Sequence, residues 1–201
     1  MNRILYLHGF ASGPSSSKAQ FFKKRLEAGG AQVEIPALDG GDFEHLTLTG
    51  QLAIIEKTAA GDAISVMGSS MGGYLAAIYA ARHPEVRKVV LLAPAFGFAR
   101  RWEIAHQWRT EGSMEFFHYA EGRNRRVGYQ LMEDAFRYED YPDFHQPALI
   151  FHGEHDDVVP VSLSHEFAAS HPNAELEVMD SDHQLLEVLE HMAGKVSRFL
   201  L

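Results

Sequence analysis

The chain has 201 residues, 46% of them hydrophobic and 22% charged, which fits one globular domain with a substantial core. A formal net charge of −9 argues against a nucleic-acid-binding protein, because that role needs a clustered positive surface. The absence of cysteine excludes disulfides, a thiol nucleophile and thiolate metal sites. No apolar run approaches the roughly 18 residues of a membrane span. With no signal-peptide pattern before the first strand, we expect a cytoplasmic protein.

The first part of the chain alternates short apolar runs with longer amphipathic ones. The runs predict strands at Arg3–Leu7, Gln32–Ile35 and Ala63–Met67. The amphipathic segments predict helices at Lys18–Ala28, His45–Ala60 and Met71–Arg82. The last of these helices is rich in alanine, so it can pack closely against a sheet.

The second part continues the same alternation after a long interruption. It predicts strands at Lys88–Leu92, Ala148–Phe151 and Glu175–Met179, and helices at Ser162–Ala169 and Gln184–Leu200. The run Val89–Leu92 is apolar throughout, which is typical of a parallel sheet covered on both faces. We therefore predict a three-layer α/β fold with a mostly parallel sheet of about six strands.

The interruption, at about residues 95–146, is too long for a plain loop in a compact domain. It is rich in aromatic residues, so we expect one domain over residues 1–201 with this segment inserted as a cap at the carboxyl edge of the sheet. We expect helices flanking a hairpin near Glu121–Asn124. The aromatic side chains either form a small core of the cap or line an apolar acyl pocket. In the second case, the candidate substrate contacts are Trp102, Trp108 and Phe116.

A G-x-S-x-G motif at Gly68–Gly72 lies between a predicted strand and a predicted helix. This context is the one in which a nucleophile elbow forms, with the central serine held on a tight, strained turn. Ser70 is therefore the candidate nucleophile. Ser69 is interpreted as a small packing residue of the elbow.

A serine hydroxyl needs a base to take its proton, and that base needs an acid to orient it. On this kind of elbow, the order along the chain is serine, then acid, then histidine. Asp156 follows the strand Ala148–Phe151 and is the candidate acid, with Asp157 as the alternative. His183 follows the last predicted strand and is the candidate base.

An oxyanion hole needs two preorganised N–H donors. The first candidate is the backbone of Met71, directly after the nucleophile. The second is the backbone of Phe10 in the loop after the first strand, where Gly9 allows a sharp turn.

These motifs resemble those of the α/β-hydrolase superfamily, in particular small bacterial esterases of the YqiA type and depalmitoylating acyl-protein thioesterases. The similar stretches are Leu7–Phe10, Val66–Tyr74, His152–Pro160 and Ser181–His183. The resemblance spans nearly the whole chain outside the cap, and it implies the triad and oxyanion hole named above. By comparison with larger members of the superfamily, we expect the usual first two strands to be missing from the sheet.

The resemblance implies a serine hydrolase that acts on small-molecule carboxylic esters or thioesters without a cofactor or metal. The alternatives are a serine peptidase, a lactonase, or a non-catalytic binding protein on the same scaffold. Three further readings stay open. His152, Glu154, His155 and Asp156 could hold a metal, His8 could be structural or catalytic, and the basic residues Arg123, Arg125 and Arg126 could be a solvated hairpin tip or an anion site.

Overall fold

Six parallel strands form the central sheet of the computed structural model, which describes residues 2–101 and 105–201. The described residues form eight strands in all, six in this sheet and two in a separate hairpin. In chain order they are β1 (Arg3–Leu7), β2 (Gln32–Glu34), β3 (Ser65–Ser69), β4 (Val89–Leu92), β5 (Ser113–His118), β6 (Arg123–Gly128), β7 (Ala148–Gly153) and β8 (Ala174–Met179). The order across the sheet is β2-β1-β3-β4-β7-β8, and every neighbouring pair is parallel. The strands β5 and β6 form a separate antiparallel hairpin.

Helices cover both faces of this sheet. In chain order they are α1 (Ser17–Ala28), α2 (Leu48–Ala59), α3 (Met71–Arg82), α4 (Phe98–Arg101), α5 (Ala105–Glu111), α6 (Gln130–Ala135), α7 (Val161–Ser170) and α8 (Leu189–Leu200). Apolar residues of α1 and α8 share one buried core with the sheet, and those of α2, α3 and α7 share another. The predicted three-layer α/β architecture and the six-stranded parallel sheet are thus confirmed.

The two cores follow from the alternation of side chains along each strand. In β1, Leu5 and Leu7 belong to the core beneath α2 and α3, whereas Ile4 and Tyr6 belong to the core beneath α1. All four are fully or almost fully buried. A strand buried on both faces needs a continuous apolar sequence, which is the pattern observed.

Many predicted element boundaries shift by one to three residues, for example at the start of α2, which is Leu48 instead of His45, and two differences lie close to the predicted site. The strand β3 extends to Ser69, because its pairing with β4 continues as far as Ser69 opposite Leu92. The last helix begins at Leu189 instead of Gln184. Asp182 Oδ1 accepts hydrogen bonds from the backbone N–H of Gln184 and of Leu185, and Leu185 takes a left-handed conformation (φ 56°) that cannot start a helix.

The segment between β4 and β7 contains α4, α5, the β5–β6 hairpin and α6. The hairpin turn lies at the predicted position, because β5 ends at His118 and β6 begins at Arg123. Trp108 is fully buried and its Nε1 donates to the Val127 carbonyl over 3.0 Å. Its ring belongs to the same core as the sheet, so the described part of the segment shares the main core. Trp102 lies outside the described residues.

The hairpin lies against the loop that follows β1. The Tyr119 N–H donates to the Ala11 carbonyl over 2.8 Å, and the Phe116 ring packs edge to face on Phe10 with centroids 5.0 Å apart. That loop leaves the sheet at its carboxyl edge. Residues from the inserted segment are therefore placed beside the edge where the predicted site residues lie. Within the described residues, none of the helices combines the length and the apolar character that crossing a membrane would require.

Candidate active site

Ser70 stands at a strained turn between β3 and α3. Its backbone has φ 55° and ψ −120°, a region that non-glycine residues rarely occupy. Three hydrogen bonds hold it there. Its N–H donates to the Leu92 carbonyl over 2.8 Å, and its carbonyl accepts from the N–H groups of Tyr74 and Ala95. The turn is thus fixed by both the neighbouring strand and the helix it opens.

The motif needs glycine at positions 68 and 72 because other backbone segments pack directly against them. Their backbone conformation is not the reason, since neither glycine has a positive φ. A Cβ on Gly72 would lie 2.1 Å from the Leu7 carbonyl oxygen, and one on Gly68 would lie 2.1 Å from the Gly72 oxygen. Such distances leave no room for a side chain against rigid backbone. The spacing of the motif therefore follows from helix α3 passing directly over the ends of β1 and β3.

The structure brings the three predicted side chains of the triad into one hydrogen-bonded line. Ser70 Oγ lies 3.1 Å from His183 Nε2, and His183 Nδ1 lies 2.7 Å from Asp156 Oδ2. A carboxylate can only accept, so the Nδ1 atom carries the proton and Nε2 is free to accept from the serine. This is the tautomer in which an imidazole can take a proton from a hydroxyl.

Asp156 is the fully buried end of this line. Its Oδ1 accepts from the N–H groups of Val158 (2.9 Å) and Val159 (2.7 Å). Burial opposes the charge, but hydrogen bonds from two histidines and a backbone amide outweigh it and hold the pKa of this carboxyl well below its usual range. Asp157, the alternative acid, is exposed to solvent.

The second histidine at this carboxylate is His152. Its Nε2 lies 3.1 Å from Asp156 Oδ2 and 2.8 Å from the Val159 carbonyl, and its Nδ1 lies 2.7 Å from Ser164 Oγ. His155 instead faces Asp180 in solvent, with 3.0 Å between Nε2 and Oδ1. The histidines of the suggested metal cluster therefore diverge. No group of three potential metal ligands occurs in the described residues.

Ser70 and His183 open into a cavity of about 650 Å³. Its wall combines hydroxyl groups with apolar side chains. Hydroxyls come from the loop before α1 and from its first turn, at Ser12, Ser15, Ser16 and Ser17. Apolar contacts come from Phe10, Met71, Ala95, Phe98, Ala120, Val158, Val159 and Leu186. The cavity can therefore hold an organic substrate with both polar and apolar parts.

Phe10 and Met71, the predicted oxyanion-hole residues, both line this cavity. Met71 opens α3, and the N–H groups of a first helical turn have no partner inside the helix. The left-handed residue in the loop after β1 is Ala11 (φ 50°), so the sharp turn expected at Gly9 lies two residues later.

Of the suggested aromatic substrate contacts, the two within the described residues, Trp108 and Phe116, are not at the cavity wall. Trp108 is buried in the core, and the half-buried Phe116 packs against Phe10 and Trp108 from behind. The described aromatic residues of the inserted segment that do line the cavity are Phe98 and Tyr119. Hydrophobicity alone could not separate these two from Trp108 and Phe116, since all four are large aromatic residues.

His8 has a structural environment. Its Nε2 accepts from the Leu38 N–H over 3.2 Å, and its Nδ1 lies 3.0 Å from the Gly9 carbonyl. Burial lowers the pKa of His8, which keeps the ring neutral. At the hairpin turn, Arg123 and Arg125 both pair with Glu121, which supports a solvated tip over an anion site.

One polar group at the cavity has no counterpart in the sequence predictions. The Lys18 ammonium donates to Ser69 Oγ over 3.1 Å, and both residues line the cavity wall. Ser69 is therefore a hydrogen-bond partner and more than the packing residue expected. Nothing in the sequence distinguishes Lys18 from the other lysines of α1, because its burial arises from the packing of α1 against the elbow.

The fold agrees with those of solved α/β hydrolases. Est1E from Butyrivibrio proteoclasticus has a TM-score of 0.81 at 20% identity, covering 98% of this chain and 86% of that one. Alpha/beta hydrolase domain-containing protein 10 from mouse has a TM-score of 0.83 at 18% identity, covering 98% and 88%. A monoacylglycerol lipase from Paleococcus ferrophilus has a TM-score of 0.82 at 15% identity, covering 98% and 93%.

A family model described as "Uncharacterised protein family (UPF0227)" matches residues 3–200. The match includes every element of the sheet and all the residues of the Ser70–His183–Asp156 line. The chain is a member of the UPF0227 family and has the α/β-hydrolase fold.

Proposed function

We propose that this protein is a serine hydrolase that cleaves carboxylic esters or thioesters through an acyl-enzyme on Ser70. The observation that carries the proposal is the continuous line from Ser70 Oγ through His183 to Asp156, at 3.1 Å and 2.7 Å. The line ends at a cavity wide enough for an organic acyl group.

In the first half of the reaction, His183 Nε2 takes the proton of the Ser70 hydroxyl while Oγ attacks the carbonyl carbon of the substrate. The N–H groups of Met71 and Phe10 are the proposed donors to the oxygen that becomes negative. When the tetrahedral intermediate collapses, His183 gives its proton to the departing alcohol or thiol. The acyl group is then bonded to Ser70.

In the second half, a water molecule takes the place of the alcohol. His183 accepts a proton from the water while the water oxygen attacks the acyl carbon. His183 then returns this proton to Ser70 Oγ as the bond between Oγ and the acyl carbon breaks and the acid is released. Asp156 holds the imidazole in the required tautomer and stabilises its positive charge in both halves. The side chains and backbone of the chain supply every group that this reaction uses.

The names of similar structures support an ester substrate. They include an esterase-type protein, Est1E, with ferulic acid bound, and a monoacylglycerol lipase. The inserted segment at about residues 95–146 is proposed to act as a cap. Phe98, Tyr119 and Ala120 from this segment line the cavity beside Ser70.

The test is hydrolysis of p-nitrophenyl esters from acetate to octanoate and of the matching acyl thioesters. We expect wild-type turnover and a loss of at least about 10³-fold in Ser70→Ala. Ser170→Ala, an exposed serine at the end of α7, is the matched control and keeps full activity. Full activity in a folded Ser70→Ala protein would refute the proposal.

A further inference from the structure

Lys18 is a buried cation in the wall of the cavity. The residue is 8% exposed, and its Nζ donates to the hydroxyl of Ser69, the residue directly before the nucleophile. The buried phenol of Tyr6 lies beside the same hydroxyl. The ammonium is thus fixed one residue away from Ser70, inside the cavity that Ser70 and His183 share.

This charge has no counter-ion among the side chains that the structure describes. The acidic residues that influence it electrostatically are Asp182 and Asp156. Asp182 Oδ1 is occupied by the N–H groups of Gln184 and Leu185, and Asp156 is occupied by the two histidines. A buried ammonium without an ion-pair partner lowers the stability of the fold. Such a cost is retained where the charge serves a ligand.

The ammonium also has donors to spare. The ammonium carries three N–H groups. Within the described residues it donates one hydrogen bond, to Ser69 Oγ. Burial lowers the pKa of Lys18 to about 8, so the group is still mostly charged at neutral pH and an arriving anion would stabilise that charge. Ser12, Ser15 and Ser17 line the same cavity, and their hydroxyl groups can donate to an anion.

We propose that Lys18 is the anion-binding residue of the substrate cavity, and that the substrate is an ester or thioester with a carboxylate a few atoms from the reacting carbonyl. This inference rests on the proposed function. Lys18 contacts Ser69, and Ser69 directly precedes the nucleophile Ser70. A carboxylate bound by Lys18 would therefore lie only a few atoms from the carbonyl that Ser70 attacks. The apolar residues Phe98, Val158 and Leu186 would contact the rest of the molecule.

The experiment compares two pairs of esters that differ only in the carboxylate. Phenyl hydrogen glutarate against phenyl pentanoate places the charge on the acyl side. 3-Carboxyphenyl butanoate against phenyl butanoate places it on the leaving group. We expect the wild type to favour the anionic member of at least one pair, and Lys18→Met to lower the anionic-to-neutral ratio of kcat/KM by about 10- to 100-fold.

Two further variants complete the design. Lys18→Gln replaces Lys18→Met if thermal unfolding shows that the latter does not fold. Lys24→Met removes an equal charge from an exposed position of α1 and keeps the selectivity. Selectivity that survives loss of Lys18, or equal rates on both members of both pairs, would overturn the anion site and leave Ser70-dependent hydrolysis standing.

If the wild type hydrolyses none of the four esters, binding decides the anion site by itself, and the proposed function is decided separately by the p-nitrophenyl esters and the acyl thioesters. Calorimetric titration of Ser70→Ala with phenyl hydrogen glutarate is then the readout. Binding that disappears in the Ser70→Ala, Lys18→Met double variant supports the site. Absence of binding to Ser70→Ala contradicts it.

Discussion

His152 Nε2 lies 3.1 Å from Asp156 Oδ2, the same oxygen that accepts a hydrogen bond from His183 Nδ1 over 2.7 Å. The His152 ring is fully buried and held on its other side by Ser164 Oγ. The Asp156 carboxylate at the candidate site therefore lies between two imidazoles, while the hydrogen bond of His152 Nε2 itself goes to the Val159 carbonyl over 2.8 Å. His152 touches no reacting atom, so its role is to position Asp156.

We expect His152→Leu to lower kcat by about 10- to 100-fold, because it removes the polar neighbour of a buried charge and the hydrogen bond that holds the Val159 carbonyl beside it. It also leaves Ser164 without its partner, so the free energy of unfolding should fall by about 1–3 kcal/mol. Steady-state kinetics and chemical denaturation measure the two effects. His152→Gln, whose amide can still donate toward Asp156, should recover part of the rate. His155→Leu is the matched control in the same loop, and a rate loss as large as that of His152→Leu would rule out the positioning role.

Asp156 and Asp157 offer a second matched pair, since they are adjacent and only one contacts His183. Asp156→Asn should reduce kcat by about 10⁴-fold, because the amide favours the wrong tautomer of the histidine. Asp157→Asn should stay within about twofold of the wild type, as expected for an exposed side chain. Ester hydrolysis by the two purified variants is sufficient. Greater damage from Asp157→Asn would mean that the acid has been misassigned.

The buried ammonium of Lys18 gives a pH-dependent contribution to stability. Its pKa is lowered to about 8 by burial, against the attraction of Asp182 and Asp156, and the unfolded value is 10.5. Between these two values the unfolded chain holds one more proton than the folded chain, so the free energy of unfolding rises with pH. The rise should reach about 3 kcal/mol relative to Lys18→Met. Denaturant titrations of both proteins from pH 7.5 to 10.5 measure this difference, and parallel curves would contradict it.

The sequence was sufficient to predict the elbow and the alignment of Ser70, His183 and Asp156 because both depend on general rules of α/β folds. A tight strand-to-helix turn needs small residues where Gly68 and Gly72 stand, and the close contacts of these residues show why. Parallel strands also bring their carboxyl ends to one edge, so loops distant in the chain meet there. Asp156 and His183 follow two adjacent strands, which made their convergence predictable.

Other features depend on tertiary packing and could not be predicted from the chain. Lys18 belongs to the first turn of α1, and only the docking of α1 beside the elbow makes its ammonium a buried one. Trp108 and Phe98 have equivalent sequence signals and both belong to the buried core, yet only Phe98 also lines the cavity. The late start of α8 depends on the backbone of Leu185, whose residue type favours a helix.

The central claim is that Ser70 is a nucleophile activated by His183, and covalent labelling tests it most directly. The protein is treated with a fluorophosphonate and the peptide containing Ser69 and Ser70 is sequenced by tandem mass spectrometry. We predict one equivalent of label, located on Ser70, with no label in Ser70→Ala and labelling slowed by at least about 10³-fold in His183→Ala. A folded wild-type protein that remains unlabelled, or that carries the label on Ser69, would contradict the account.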